Sequence, residues 1–456
     1  MSMAGLPPEG FPRAWRQAIW QGWSPDGFRQ CEMAENGPTG CVLRPTWAEV
    51  DLAAVEHNAA LLASIVAPGA LCAVVKADAY GHGAVAVARA ALRGGAAWLA
   101  VALVEEGVEL RMAGIEAPVL LLSEPPQAAM GQAVAYRLTP TLYSVGGVRA
   151  FDMAAQAAAA PVPVHVKVDT GMHRVGASPE DLPAVVEEVM SSRHLAVGGL
   201  WTHLAMAGEG DGSFTVEQLA RFDRARQQLA LGGQGLGSSV ILHVANSAGT
   251  IVHPEARLDM VRCGIALYGE LPSQELGPAL SRATGGGRLH PALSLKSRIA
   301  FVRELPAGSR LSYGRCTPLP ERSVVATVPI GYADGMPRAL FSKGASVLIG
   351  GRRRRLAGMV TMDQIMVDCG PDAEVAVGDE VVLIGKQGDE EVTAGEWASL
   401  LGGISYEVFC GIGARVPRIY PTDRSPRSAD PLVPGTVGSG TVGSGMGEAG
   451  VGGSCE

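Results

Sequence analysis

LCAVVKADAYGHGAVAVARAALRGGAAWLAVAL, residues 71–103, carries the pattern on which the fold turns. An apolar run, LCAVV, ends on a lysine. An Ala-rich stretch of helical character follows, and a second apolar run, WLAVAL, starts at Trp98. Runs that are apolar throughout read as strands of a parallel sheet, because helices cover its outer face. The unit recurs at PVLLLS (118–123), LTPTLY (138–143), VHVKVD (164–169), VGGLWTHLA (197–205), ILHVAN (241–246) and LDMVRCG (258–264). Amphipathic segments such as PEDLPAVVEEVM and FTVEQLARFDRARQQLA lie between them. Eight such units in about 200 residues predict a (β/α)8 TIM-type barrel. An open doubly wound sheet is the alternative, but it calls for a GxGxxG turn after its first strand, which is missing there.

After Pro291 the rhythm changes. ALSLKSRIAFVREL, SVVATVPIGYADG and DEVVLIG are Val/Ile-rich, partly alternating and punctuated by glycine, the signature of a mostly antiparallel β domain. The chain therefore divides into an irregular extension (1–45), a barrel (46–285), a C-terminal β domain (286–422) and a Gly/Ser-rich tail (423–456). The tail, with its TVGSG repeat, holds too little apolar surface to offset its ordering entropy and is expected to be flexible.

Composition narrows the function. The 456 residues hold 37 Lys+Arg against 45 Asp+Glu, a formal charge of −8, and 47% are apolar. An acidic balance argues against a broad nucleic-acid footprint. No apolar run reaches membrane-spanning length, and the N-terminus lacks a secretory pattern, so a cytoplasmic protein without membrane contact is expected. The eight cysteines are scattered and form no CxxC or zinc-type spacing, so no metal site is expected. Arg352–Arg355, four basic residues within a β-rich region, read as a solvated hairpin. His82 reads as a loop residue beside the site.

Barrel chemistry sits at the C-terminal ends of the strands. There the sequence sets Lys76 after the first run, Lys167 and Arg174 around the fifth, His203 after the sixth, Asn246 and Ser247 after the seventh, and Arg262, Gly264 and Ile265 at the eighth. Taken alone, Lys76 reads more simply as a lysine snorkelling to the barrel rim. Its company changes that. Ser247, the backbone N–H groups at Gly264 and Tyr80 could hold a phosphate, and a desolvated lysine beside a phosphate cup points to pyridoxal 5′-phosphate (PLP).

AVVKADAYGHG (73–83), VKVDTGMHRVG (166–176), THLA, HVANSAG, VRCGIALYG, LSYGR (311–315), PIGYADG (329–335), TMDQIMVD (361–368) and YEVFCGIGARVPR (406–418) resemble, in order, the motif series of alanine racemases. The resemblance runs from about Arg44 to Tyr420. It implies a PLP enzyme that interconverts L- and D-alanine and supplies D-alanine for peptidoglycan. Lys76 is then the PLP-bearing lysine and one catalytic base, and Tyr313, reaching in from the partner subunit of a homodimer, is the other. Two bases on opposite faces remove and return the α-proton without turning the substrate. The resemblance further implies that His203 supports Tyr313 as a cation beside its phenolate. Arg262 faces the pyridine nitrogen. Tyr80, Ser247, Gly264, Ile265 and Tyr406 hold the phosphate, with Asn246 beside them. Arg174 holds the substrate carboxylate with the partner-subunit segment of Met362 and Asp363, Lys167 is a candidate for carbamylation, and Tyr332 lines the entry corridor.

Three positions depart from the common pattern: Thr361 where many members carry Cys, Cys263 after Arg262, and Leu204 after His203. None removes a group the mechanism requires. Rival readings are a racemase of wider amino-acid range, a non-catalytic PLP-binding barrel and a decarboxylase of similar architecture. LSYGR and TMDQ weigh against the second, and a decarboxylase would not require the combination of Tyr313, His203 and Arg262.

Overall fold

Thr46–Val50 forms the first strand, β1, and the eight apolar runs supply β2 (Ala70–Val74), β3 (Trp98–Val101), β4 (Val119–Leu121), β5 (Thr141–Leu142), β6 (Val162–Lys167), β7 (Leu195–Trp201), β8 (Ile241–His243) and β9 (Met260–Cys263). The structure, a computed structural model, describes residues 44–158, 160–233, 235–315 and 318–421. The tail read over 423–456, and all but the last two residues of the extension, lie outside the described residues. Parallel pairing runs β4–β3–β2–β9 in one half of the barrel and β5–β6–β7–β8 in the other. The halves meet at a parallel bridge between Leu120 and Thr139, and where the Arg262 N–H donates to the Ala245 carbonyl at 3.0 Å.

Helices α1 (Leu52–Val66), α2 (Ala84–Arg93), α3 (Val104–Met112), α4 (Gln127–Ala135), α5 (Val145–Ala155), α6 (Leu182–Ser191), α7 (Ser213–Leu231) and α8 (Ser247–Val252) accompany the strands. Asp51, Ser144 and Asn246 cap α1, α5 and α8, each accepting the backbone N–H three residues on. Leu99, Val101, Leu120, Val164, Val166 and Leu200 are fully buried, because each strand is covered on both faces. Burial of each such side chain contributes about 1.5–3 kcal/mol relative to exposure.

Helix α9 (Gly277–Thr284) leads to the β domain: β10 (Leu293–Arg298), β11 (Phe301–Leu305), β12 (Ser323–Val328), β13 (Ser346–Ile349), β14 (Arg352–Leu356), β15 (Ile365–Asp368), β16 (Glu380–Gln387) and β17 (Glu390–Val392), then α10 (Ala394–Leu401), α11 (Ser405–Gly411) and β18 (Arg418–Ile419). One sheet runs β11–β12–β15–β14–β13–β16–β10–β1–β18, with β17 on β16. β1, which the 46–285 reading placed in the barrel, thus belongs to the β sheet. It pairs antiparallel with β10, Thr46 opposite Ser297 and Val50 opposite Leu293, and parallel with β18. Its residues alternate between buried and half-buried, the period of a sheet with one covered face and not of a barrel strand. The four-arginine run forms β14, the second strand of a hairpin with β13, where Arg353 pairs with Glu390 and Glu396.

Candidate active site

The C-terminal mouth of the barrel opens on a cavity of about 580 Å³, within the usual range for small-molecule sites. Lys76 stands at its edge, two residues past β2, and begins an unusual turn. Ala77, Asp78, Ala79 and Tyr80 all take left-handed conformations, with φ between 52° and 54°. For residues other than glycine this costs roughly 1–2 kcal/mol each. Surrounding bonds hold the turn: the Asp78 carboxylate accepts the Ala84 N–H at 2.7 Å, and Arg418 Nε donates to the Gly81 carbonyl at 2.8 Å. The turn carries Tyr80 inward, against Tyr268 and Tyr406. Burial lowers the basicity of Lys76, Arg174 lowers it further, and Glu106 opposes them.

In the same cavity, oxygen and nitrogen donors come together. The Ser247 hydroxyl accepts the Gly264 N–H at 3.0 Å, so that N–H is engaged where the sequence reading left it free. A Cβ on Gly264 would lie 2.4 Å from the Tyr80 hydroxyl, so only glycine lets the phenol approach this backbone. Ile265 and Tyr406 complete the lining. Asn246 also borders the cavity, but its amide caps α8 and donates to the Leu204 carbonyl at 3.1 Å, so its polar atoms position the loop. Three hydroxyls and glycine backbone at one end, an amine of lowered basicity nearby and a guanidinium below form a donor set that fits a phosphorylated pyridine aldehyde such as PLP.

The floor is a buried polar chain. Arg262, 3% exposed, donates to the carbonyls of Thr202, His243 and Val244 and to His243 Nδ1 at 2.8 Å. A guanidinium only donates, so His243 Nδ1 is the acceptor and its Nε2–H donates to His165 Nδ1, also at 2.8 Å. Burial and the Arg262 charge hold both imidazoles neutral, His165 near 3 and His243 well below the usual histidine range. Lys167 Nζ and the Arg262 guanidinium carbon each lie 4.4 Å from the Trp201 ring centre, a cation–π arrangement. Burial, with Arg262 and Arg174 nearby, brings the Lys167 amine down to about 7.

His203 differs from the cation that the resemblance implied. Burial, with Arg262, Lys167, Arg174 and Lys76 around it, holds its pKa well below the usual value, so the ring is neutral. Its Nδ1 accepts from Arg262 at 3.4 Å, which leaves Nε2–H as a donor. Arg174 reaches the cavity from a loop folded on Asp169, whose carboxylate accepts the Gly171 and His173 N–H groups.

The β-domain residues stand apart. Tyr313 is 73% exposed, Met362 53% and Tyr332 45%, and none of these, nor Asp363, lines the cavity among the described residues. Backbone bonds join two of their segments: Tyr332 N–H to the Thr361 carbonyl at 3.0 Å and Ala333 N–H to the Met362 carbonyl at 3.1 Å. A Cβ on Gly331 would meet both carbonyls at 2.3 Å. Beneath them the fully buried Asp334 carboxylate meets Arg44 at 2.8 Å and Arg415 at 3.2 Å, and Arg415 also grips Asp363 at 2.7 Å.

Sequence reasoning passed over His165, Trp201, His243, Asp334 and Glu106. Period two could have found three of them. His165 precedes Lys167 by two residues and Trp201 precedes His203 by two, so each pair shares a face, while His243 closes the next strand. His82 lies in the turn after Gly81, as read, and is fully buried there against Tyr268 and Phe409. Among the described residues no group of His, Cys, Asp and Glu could hold a metal, and no helix is long and apolar enough to cross a membrane.

Residues 50–272 match the alanine racemase N-terminal domain and residues 292–420 the alanine racemase C-terminal domain. An alanine racemase from Symbiobacterium thermophilum is 46% identical over 378 residues, covering 83% of this chain and 97% of that protein. One from Desulfovibrio desulfuricans is 42% identical, covering 83% and 98%. Among solved structures, the alanine racemase from E. faecalis superposes with a TM-score of 0.77 at 38% identity, covering 83% of this chain and 99% of that one. The Bacillus anthracis enzyme with bound L-Ala-P gives 0.76 at 36%, covering 84% and 96%. With both family domains matched in order, and with relatives aligned over nearly their whole length, this chain belongs to the alanine racemase family of enzymes.

Proposed function

We propose that this enzyme binds PLP at Lys76 and interconverts L- and D-alanine with two bases, Lys76 and Tyr313 of the partner subunit, in a cytoplasmic homodimer that supplies D-alanine for peptidoglycan. The reading rests on one observation above all: Lys76 and an anion cradle share a cavity, while Tyr313, Tyr332 and Met362 face outward on the same chain. A second copy related by a two-fold axis would bring these groups to the cavity.

Tyr80, Ser247, the backbone at Gly264 and Ile265 and Tyr406 would hold the phosphate of PLP, and Arg262 its ring nitrogen. When bound, PLP withdraws electrons from the substrate Cα and makes its proton removable. Arg262 has no site that accepts a proton, so it leaves a ring nitrogen facing it unprotonated and restrains that withdrawal. The lowered basicity of Lys76 makes the free amine available to carry a proton on one face. His203 donates Nε2–H toward the Tyr313 phenol oxygen of the partner subunit, and Arg262 behind it polarises that donor. Arg174 and the Met362 N–H orient the carboxylate.

Mixing two inactive variants tests the reading. Lys76→Ala and Tyr313→Phe should each fail to racemise alanine. After subunit exchange at equal amounts, half the dimers are hybrids with one intact composite site, restoring about a quarter of the parent's activity. No restoration, with hybrids verified by native mass spectrometry, would overturn the shared site. Loss of borohydride labelling at Lys76 in the parent would overturn the PLP assignment.

A further inference from the structure

The left-handed turn after Lys76 needs something to hold its first peptide, and one carboxylate does so. Glu106 lies in the first turn of α3, in the next strand–helix unit. Its Oε1 accepts the Ala77 N–H at 2.6 Å. Its Oε2 accepts the Ala102 N–H at 2.8 Å and the Leu103 N–H at 3.1 Å, just past the end of β3. One side chain thus ties the residue after Lys76 to the rim of the neighbouring strand through three charge-assisted bonds.

We propose that Glu106 is a positioning residue for Lys76: its carboxylate fixes the turn that aims the amine and sets a negative charge beside it. The inference rests on the reading of Lys76 as the PLP-bearing base. Ala77 and Asp78 are exposed, so solvent competes for their backbone groups, and a bond to an anion is the stronger competitor. Around the amine stand Arg174 from the loop after β6, Lys167 on β6, His203 after β7, Cys410 on α11 and Glu106 on α3. Glu106 is the one carboxylate among them. It raises the basicity of Lys76 where burial and Arg174 lower it. A cationic surround without it would leave the amine a weaker base and a poorer proton carrier.

Two variants separate geometry from charge. Glu106→Gln removes the charge and leaves one acceptor oxygen for the Ala77, Ala102 and Leu103 N–H groups, while Glu106→Ala removes charge and acceptors alike. The readout is the pH midpoint of Lys76 acetylation by acetic anhydride in the full-length, cofactor-free protein, followed by mass spectrometry of the Lys76 peptide. Both variants should move that midpoint down. Hydrogen exchange at Ala77 should quicken in Glu106→Ala and change less in Glu106→Gln. A structural role alone would alter exchange and melting without moving the midpoint. A Glu106→Gln midpoint equal to the parent's overturns the proposal, and so does an upward shift. If Glu106→Ala does not fold, the Gln variant decides alone. Failure of the parent to carry PLP on Lys76 would instead remove the functional reading and leave the midpoint result standing.

Discussion

The barrel mouth hides its charges, whereas the β domain displays its reactive groups. Arg262, His243, His165 and Lys167 are almost wholly buried, and the Arg262–His243–His165 chain fixes His243 Nδ1 as acceptor, His243 Nε2–H as donor and His165 Nδ1 as acceptor. Tyr313, Tyr332 and Met362 lie on the surface of the same protomer. The barrel half is complete within one chain, and its cost of charge burial is met by carbonyls and imidazoles. In the proposed homodimer the β half is finished against the partner's surface. A composite site of this kind places precision on the rigid side and assembly on the exposed side.

Tyr313→Phe gives the largest effect and the sharpest test of that division. Losing a general acid–base group should cost about 10²–10⁴ in the racemisation rate, read by circular dichroism of alanine. Because Tyr313 is so exposed, the melting temperature of a diluted protomer should barely move. Retention of most of the activity would end the two-base reading.

Arg262→Leu probes the opposite face. It strips a donor from three carbonyls and from His243 Nδ1 in a buried site. Urea unfolding should show a loss of about 1–3 kcal/mol, the cost of leaving buried acceptors without a donor. Tyr332→Ala should stay within about 0.5 kcal/mol, as surface changes do. Equal losses in the two variants would dissolve the contrast.

Much of the barrel was legible because a strand covered on both faces is mostly apolar, and the eight runs are, apart from residues such as His165, Lys167, His243 and Arg262. β1 was not legible in place. TWAEV is short and half-polar, and nothing local says that its partners lie about 250 residues away at β10 and beyond. Lys76, Arg262 and Ser247 stood out as polar residues ending apolar runs. Glu106 and Asp334 did not, since a carboxylate among helix-start or loop residues looks the same whether it is solvated or gripping backbone across the fold. The neutrality of His203 was equally hidden, because it follows from burial and from four cations that three different strands bring together.

Asp334→Asn asks whether the exposed face is itself organised from below. The carboxylate ties Arg44 and Arg415 under the loop carrying Tyr332, and Arg415 holds Asp363. Asparagine keeps the size but weakens both arginine contacts, loosening the Met362 segment. The expected result is a KM for alanine about tenfold higher with kcat within a factor of about two. A fall in kcat at constant KM would assign Asp334 to the chemical step and blur the distinction between carrier and site.

Lys167 gives the smallest effect and titrates the hidden side directly. Its amine, ordinarily near 10.5, falls to about 7 in the fold. Below pH 7 the folded protein must hold the charged form and bears the whole penalty. Between pH 7 and 10.5 the unfolded chain binds more protons than the folded one, so stability rises with pH and the penalty is gone above that window. In carbonate-free buffer, the parent's urea midpoint should therefore climb between pH 7 and 9.5 relative to Lys167→Met. A neutral amine is also a nucleophile toward carbon dioxide: nitrogen bonds to carbon, one N–H proton leaves to solvent, and a carbamate anion remains near Arg174 and Arg262. Added bicarbonate at pH 8 should then raise the parent's melting temperature and leave Lys167→Met unchanged, with labelled bicarbonate giving a carbamate signal by ¹³C NMR. Identical responses in the two proteins would mean that the buried cations around Lys167 tolerate a neutral amine without recruiting an anion.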